Sequence, residues 1–223
     1  MKPLLIDYGH GGLIDGEYQT PGGKQYTHTD VDQPLTLYEG VSNRMSAAAL
    51  MRLALNEGAR VFDVVADRWV TVAPQWHDLE QLDVPLSARV RSANAHGRLS
   101  VLLSLHSNAV GNSIIGPSLA ADGVDIYTSR GQTGADAIAT DIFNEFKHLK
   151  GLRLRGGEYT DGDPDHEADF YIVRKTVMPA VLGEVGFFTN LHDARYLSDL
   201  HNHAAIASCY WYGVSKHLIG GTL

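Results

Sequence analysis

Residues 100–105, Ser-Val-Leu-Leu-Ser-Leu, constrain the fold more than any other stretch of this chain. Successive side chains of a strand point to opposite faces, so an unbroken apolar run must be covered on both. A strand of that kind belongs in a parallel sheet held between helices. Residues 4–7, 59–65, 123–128 and 180–183 are shorter apolar or β-branched runs and read as further strands, with 170–173 as one more short strand. Helical spacing fills the gaps. Leu37, Val41, Met45 and Ala48 place a helix over 35–57 that stops at Gly58, and Pro85 and Gly97 bracket another over 86–96. Thr133 suits the N-cap of a helix to about 148 carrying Ile138, Ile142 and Phe146. A final helix runs from 192 or 193 towards 218, with Gly213 as a point of interruption.

Strands alternating with helices predict one α/β domain over 1–223, a mostly parallel twisted sheet of about six strands with helices on both faces. The length of 223 residues suits a single core. Residues 11–34 and 151–168 lack periodicity and read as loops, and 68–83 as irregular chain.

Three residues follow predicted strands: His10 after the first, His106 at the end of 100–105, and Glu184 after 180–183. Sites in open α/β sheets form beyond the carboxyl ends of the strands, where loops converge. Two histidines and a carboxylate there suit either a metal centre or an acid-base site. The spacing of the 11 histidines offers no HExxH pair, so strand-end position alone selects His10 and His106. Glu39, in the first turns of its helix, is in a place where carboxylates ordinarily serve the helix dipole. Glu184 ends an apolar run, where burying a carboxylate is costly unless it is paired or used. His77, His166, His192, His201 and His203 read as solvated or capping residues.

A net charge of −8 with no basic stripe disfavours a phosphate-backbone partner, so no nucleic acid is expected. No segment is apolar and long enough to span a bilayer. The one cysteine, Cys209, lies among apolar neighbours and reads as a buried thiol.

With these residues in view, the chain resembles the family 3 N-acetylmuramoyl-L-alanine amidases. Leu5-Ile6-Asp7-Tyr8-Gly9-His10-Gly11-Gly12 is similar to the family's strand followed by Asp-Pro-Gly-His-Gly-Gly, with Tyr8 in place of proline. Glu39 ahead of a helix resembles the second motif. Ser87, Arg89 and Asn94-Ala95 resemble the approach to the third, and Ser104-Leu105-His106-Ser107-Asn108-Ala109 is close to Ser-Ile-His-Ala-Asn-Ala. Residues 178–190 resemble the segment that carries the catalytic glutamate. The resemblance implies Zn2+ held by His10, Glu39 and His106, with Glu184 as the catalytic carboxylate and Arg174 as a contact to substrate. Glu17 competes with Glu39 for the ligand role, because 11–39 is longer and more polar than the family needs.

The implied reaction cleaves the amide between N-acetylmuramic acid and L-alanine in peptidoglycan. A zinc peptidase acting within the stem peptide and a catalytically silent wall-binding module are the alternatives. The amino terminus lacks the pattern of a secretory signal. The expected source is a phage-type lysin made in the cytoplasm, or an exported domain whose leader is gone.

Overall fold

The computed structural model describes residues 1–20, 22–112, 116–117, 120–156 and 162–219. Its centre is a seven-stranded sheet formed by β1 (Leu4–Tyr8), β2 (Val61–Asp63), β3 (Arg68–Val70), β4 (Val101–Asn108), β5 (Val124–Thr128), β6 (His166–Glu167) and β7 (Ala180–Phe187). The spatial order is β6-β5-β7-β4-β1-β2-β3. β1 runs parallel to β2 and β4, and β4 parallel to β7, while β5 is antiparallel to β7 and β3 to β2. The expected mostly parallel sheet is therefore present, one strand wider than the sequence implied. Both edge strands are additions, β3 inside the segment expected to be irregular and β6 inside the expected loop 151–168, while one expected strand is a helix.

The apolar runs divide by parity between two cores. Leu4, Ile6 and Tyr8 of β1, Leu103 and Leu105 of β4, and Val181 and Val185 of β7 face helices α1 (Glu39–Asn56), α3 (Asp136–Phe146), α5 (Leu191–Ser198) and α6 (Leu200–Leu218). Leu5, Leu102, Ala180 and Leu182 face the short helices α2 (Leu86–Asn94) and α4 (Tyr171–Lys175). α2 and α4 span only 9 and 5 residues, a shorter cover than α1 and α6 give the other face.

Several elements depart from the sequence expectation. Residues 170–173 are not a strand: the amide of Arg174 donates to the carbonyl of Phe170, and α4 packs Ile172 and Val173 beneath the sheet. Tertiary burial here outweighs the β-propensity of Tyr-Ile-Val. The long final helix is two helices, broken at Asp199, whose carboxylate accepts the His201 amide as an N-cap. Gly213 does not interrupt α6, and a Cβ there would lie 2.5 Å from the Ile142 Cα of α3. It marks a close helix crossing.

The loop 11–34 is also more ordered than expected. Leu13–Ile14 pairs with Glu17–Tyr18, and Gln25–His28 with Leu35–Tyr38, so α1 begins at Glu39 rather than at 35. Of 151–168, residues 157–161 lie outside the described residues, and 166–167 form β6. Cys209 is buried and free, as expected.

Candidate metal centre

β1 ends at Tyr8, and the chain turns through Gly9-His10-Gly11 with His10 at φ 66°, a left-handed conformation costly for a residue with a Cβ. The turn is clamped from α1. Asn43 Nδ2 donates to the Gly9 carbonyl at 3.0 Å and Arg44 Nη1 to the His10 carbonyl at 2.8 Å. Two glycines make room for this contact. A Cβ on Gly9 would fall within 1.9 Å of the His106 ring, and one on Gly40 within 1.9 Å of the Gly11 carbonyl oxygen. Tyr8, where the resembling motif has proline, is fully buried, lies 5.1 Å beneath the Arg44 guanidinium and donates its hydroxyl to Asp63 at 2.9 Å.

Glu39 opens α1 without a side-chain cap on the helix. Its amide donates to the Lys24 carbonyl at 2.9 Å, and the Gly40 amide to the Tyr18 hydroxyl at 3.0 Å, so the preceding hairpins satisfy the first helical N–H groups. This fixes the fully buried Glu39 carboxylate between two rings. Its Oε1 lies 3.2 Å from His10 Nε2 and 2.9 Å from His106 Nδ1. The two imidazoles meet edge to face, centroids 5.3 Å apart. Lys24 Nζ stands 3.2 Å from Oε2, although that atom makes no well-formed hydrogen bond. Burial works to raise the Glu39 pKa, but the hydrogen bonds and positive potential of His10 and His106 prevail and hold it below the usual carboxylate range.

His106 lies within β4 rather than at its end, and Glu184 within β7, directly opposite it in the parallel register. Between Glu184 and Phe187 the register slips, with Gly186 at φ 73°, a bulge of the kind that re-aims strand residues beside sites. Glu184 Oε2 is buried and has no hydrogen-bond partner among the described residues. Burial, followed by the negative charge of Glu39, pushes its pKa well above the usual range; Lys24 opposes this and Asp125 adds to it.

One ligand atom from each of His10, Glu39 and His106 lies within 4.8 Å of the others. Ligands about 2.0–2.2 Å from a tetrahedral zinc stand about 3.3–3.6 Å apart, which the 3.2 Å Glu39–His10 distance nearly matches and the 2.9 Å Glu39–His106 distance falls short of by a small adjustment. The donor chemistry, two imidazole nitrogens and a carboxylate oxygen with a further position open, fits a catalytic rather than a structural zinc site. Glu17 lies exposed in its hairpin, outside this group. Arg174 is exposed on α4 and is not in the His10, Glu39 and His106 group found among the described residues.

Sequence reasoning missed several neighbours. Asp125 is the cross-strand partner of Glu184, and Lys24 comes from the segment expected to be loop. Neither has a local signal, because strand pairing and hairpin closure bring them in. His203 is not solvated. It is fully buried, with Ser46 Oγ 2.8 Å from Nδ1 and the Leu197 carbonyl 2.9 Å from Nε2. His166 is largely buried against Asp125, whereas His77, His192 and His201 are exposed.

A sequence profile described as N-acetylmuramoyl-L-alanine amidase matches residues 4–216. The N-acetylmuramoyl-L-alanine amidase CwlM of Bacillus licheniformis is 29% identical over 217 residues, covering 97% of this chain and 68% of the relative. Among solved structures, the catalytic domain of the amidase CwlV from Bacillus (Paenibacillus) polymyxa var. colistinus superposes with a TM-score of 0.70 at 23% identity, covering 98% of each chain. An N-acetylmuramoyl-L-alanine amidase of Clostridium difficile 630 gives 0.71 at 21% identity, covering 99% of this chain and 98% of that one. These two likenesses carry the fold, and the profile match carries the family. The chain belongs to the N-acetylmuramoyl-L-alanine amidases, enzymes that hydrolyse an amide bond of peptidoglycan.

Proposed function

We propose that this enzyme works with one zinc ion held by His10 Nε2, Glu39 Oε1 and His106 Nδ1, with Glu184 as its proton carrier, and cuts between N-acetylmuramic acid and L-alanine. The observation that carries this reading is a single carboxylate oxygen placed between two imidazole nitrogens, with a second carboxylate on the adjoining strand whose buried Oε2 has no partner among the described residues. Zinc bound there supplies Lewis-acid polarisation of the carbonyl and lowers the pKa of a water from about 15.7 to about 7.

The protein's own residues do the rest. Glu184, beside His106 and lacking a partner for Oε2 among the described residues, takes the proton of the attacking water. The same oxygen returns a proton to the alanine nitrogen as the C–N bond breaks, which an amine leaving group requires. Asn43 and Arg44 hold the His10 turn so that its ring keeps its aim through the cycle.

Mass spectrometry of products from purified peptidoglycan, with zinc supplied, tests the proposal. A new L-alanine amino terminus with muramic acid intact is the expected result. A terminus further along the stem would make the protein a peptidase, and no chelator-sensitive release would make it a binder. A His106→Ala variant should lose its zinc; one equivalent still tightly bound would remove His106 from the ligand set.

A further inference from the structure

The row of site residues continues past Glu184 onto β5. Asp125, only 2% exposed, accepts hydrogen bonds from Arg155 Nε at 2.9 Å on Oδ1 and from Asn108 Nδ2 at 3.2 Å on Oδ2, and His166 Nε2 stands 3.2 Å from Oδ1 without a well-formed hydrogen bond. So many partners make a buried carboxylate a fixed post. What it fixes is Arg155. The Arg155 amide donates to the Val124 carbonyl at 2.9 Å, and its guanidinium lies 5.2 Å over the Phe187 ring. Phe187 pairs with Asn108 in the sheet, three residues beyond Glu184, and Asp125, which holds the cation, is the cross-strand partner of Glu184, so the cation lies one strand over from the proton carrier.

Neutralising Asp125 uses only one edge of this guanidinium. Nη1 makes a long 3.4 Å contact to the Asp122 carbonyl, Nη2 has no partner among the described residues, and 34% of the side chain is exposed. An immobilised arginine with an open fork is built to receive a planar anion such as a carboxylate. A protein of net charge −8 disfavours anionic ligands at long range, so an acidic substrate needs a local cation.

We infer that Arg155 is the anion anchor of the cleft and receives a carboxylate of the stem peptide. The inference rests on the functional reading above. In a muramoyl peptide the lactyl carboxyl is consumed in the scissile amide, so the remaining carboxylates belong to the peptide. Arg155 thereby makes the enzyme prefer stems whose residue after L-alanine carries a free acid over stems in which that acid is amidated.

Two synthetic muramoyl peptides, identical except for a carboxylate or carboxamide on the residue after L-alanine, test this with the zinc-loaded enzyme. The wild type should show KM about ten-fold lower for the acid, the scale of one charge-assisted contact, with kcat within about three-fold. The preference should shrink in high salt. Arg155→Gln should raise KM for the acid alone, and Arg155→Lys should keep part of the preference. Calorimetry with the acidic product peptide should show weaker binding to Arg155→Gln than to the wild type.

Equal KM values in the wild type, with L-alanine-terminated product released from both peptides, overturn the inference alone, without recourse to any variant. Equal losses on both peptides in Arg155→Gln overturn it too. No such product from either peptide overturns the functional reading, and the anchor with it.

Discussion

The two faces of the sheet bury similar strands under very different covers. On one side α1, α3, α5 and α6 lay a continuous apolar layer over Leu4, Ile6, Leu103, Leu105, Val181 and Val185. On the other, α2 and α4 cover Leu5, Leu102, Ala180 and Leu182 and then stop. That thinner side also buries a charged pair, Arg89 Nη1 donating to Asp7 at 2.8 Å and 3.0 Å, with Ser104 Oγ 2.6 Å from Oδ2. The apolar side is built for stability, whereas the thinner side carries polar side chains of the same strands, Asp7, Ser104, His106 and Glu184. Asp7 precedes the His10 turn, and Ser104 is two residues before His106. The ion pair therefore braces the strands that carry the cluster.

Four substitutions or titrations separate the two faces. Glu184→Gln should lower turnover by roughly 10³-fold, the scale of a lost general base, while zinc content and melting temperature stay as in the wild type. Undiminished turnover would take Glu184 out of the mechanism. Asp7→Ala strands the Arg89 charge in a site where it is only 4% exposed, and should cost ~3–5 kcal/mol in denaturant unfolding. Because Asp7 braces the site strands, this variant should also weaken zinc retention.

Leu103→Ala, on the apolar face at a fully buried position, should cost about 2–5 kcal/mol yet leave kcat and KM of the folded fraction unchanged. A change in KM there would erase the proposed division of labour. The smallest effect concerns His203, which ties α1 to α6. Burial lowers its pKa to about 4. The unfolded chain takes up this proton near pH 6.5, so the contribution is complete above that value, falls as pH drops and is gone below about 4. Stability should decline by at most ~3 kcal/mol across that window relative to a His203→Gln variant measured in parallel. Matching pH profiles would show that the buried ring is not a source of acid sensitivity.

How much was legible in the sequence follows from how local each signal is. Residues 100–105 announce a doubly buried strand because consecutive apolar side chains have only one economical environment. His10, between glycines after a strand, and His106, at the end of such a run, were visible for the same reason. Residues 170–173 misled because the helix there depends on packing against α2 and the sheet, which no window of four residues contains. Asp199 offered a signal that could have divided the final helix, an N-cap residue before Leu-His-Asn, but Gly213 drew attention on propensity alone. His203 looked solvated because its partners, Ser46 and Leu197, lie 157 and 6 residues away.

By itself, then, the sequence determined the alternating architecture, the doubly covered central strands and the strand-end histidines, all consequences of side-chain period and chain turns. Only the tertiary structure decided that Glu39 rather than Glu17 stands between those histidines, that Asp125 lies across from Glu184 and holds Arg155, and that one face of the sheet is covered by short helices alone. Those outcomes depend on register, hairpin closure and helix length against a neighbour, long-range quantities that no local pattern encodes.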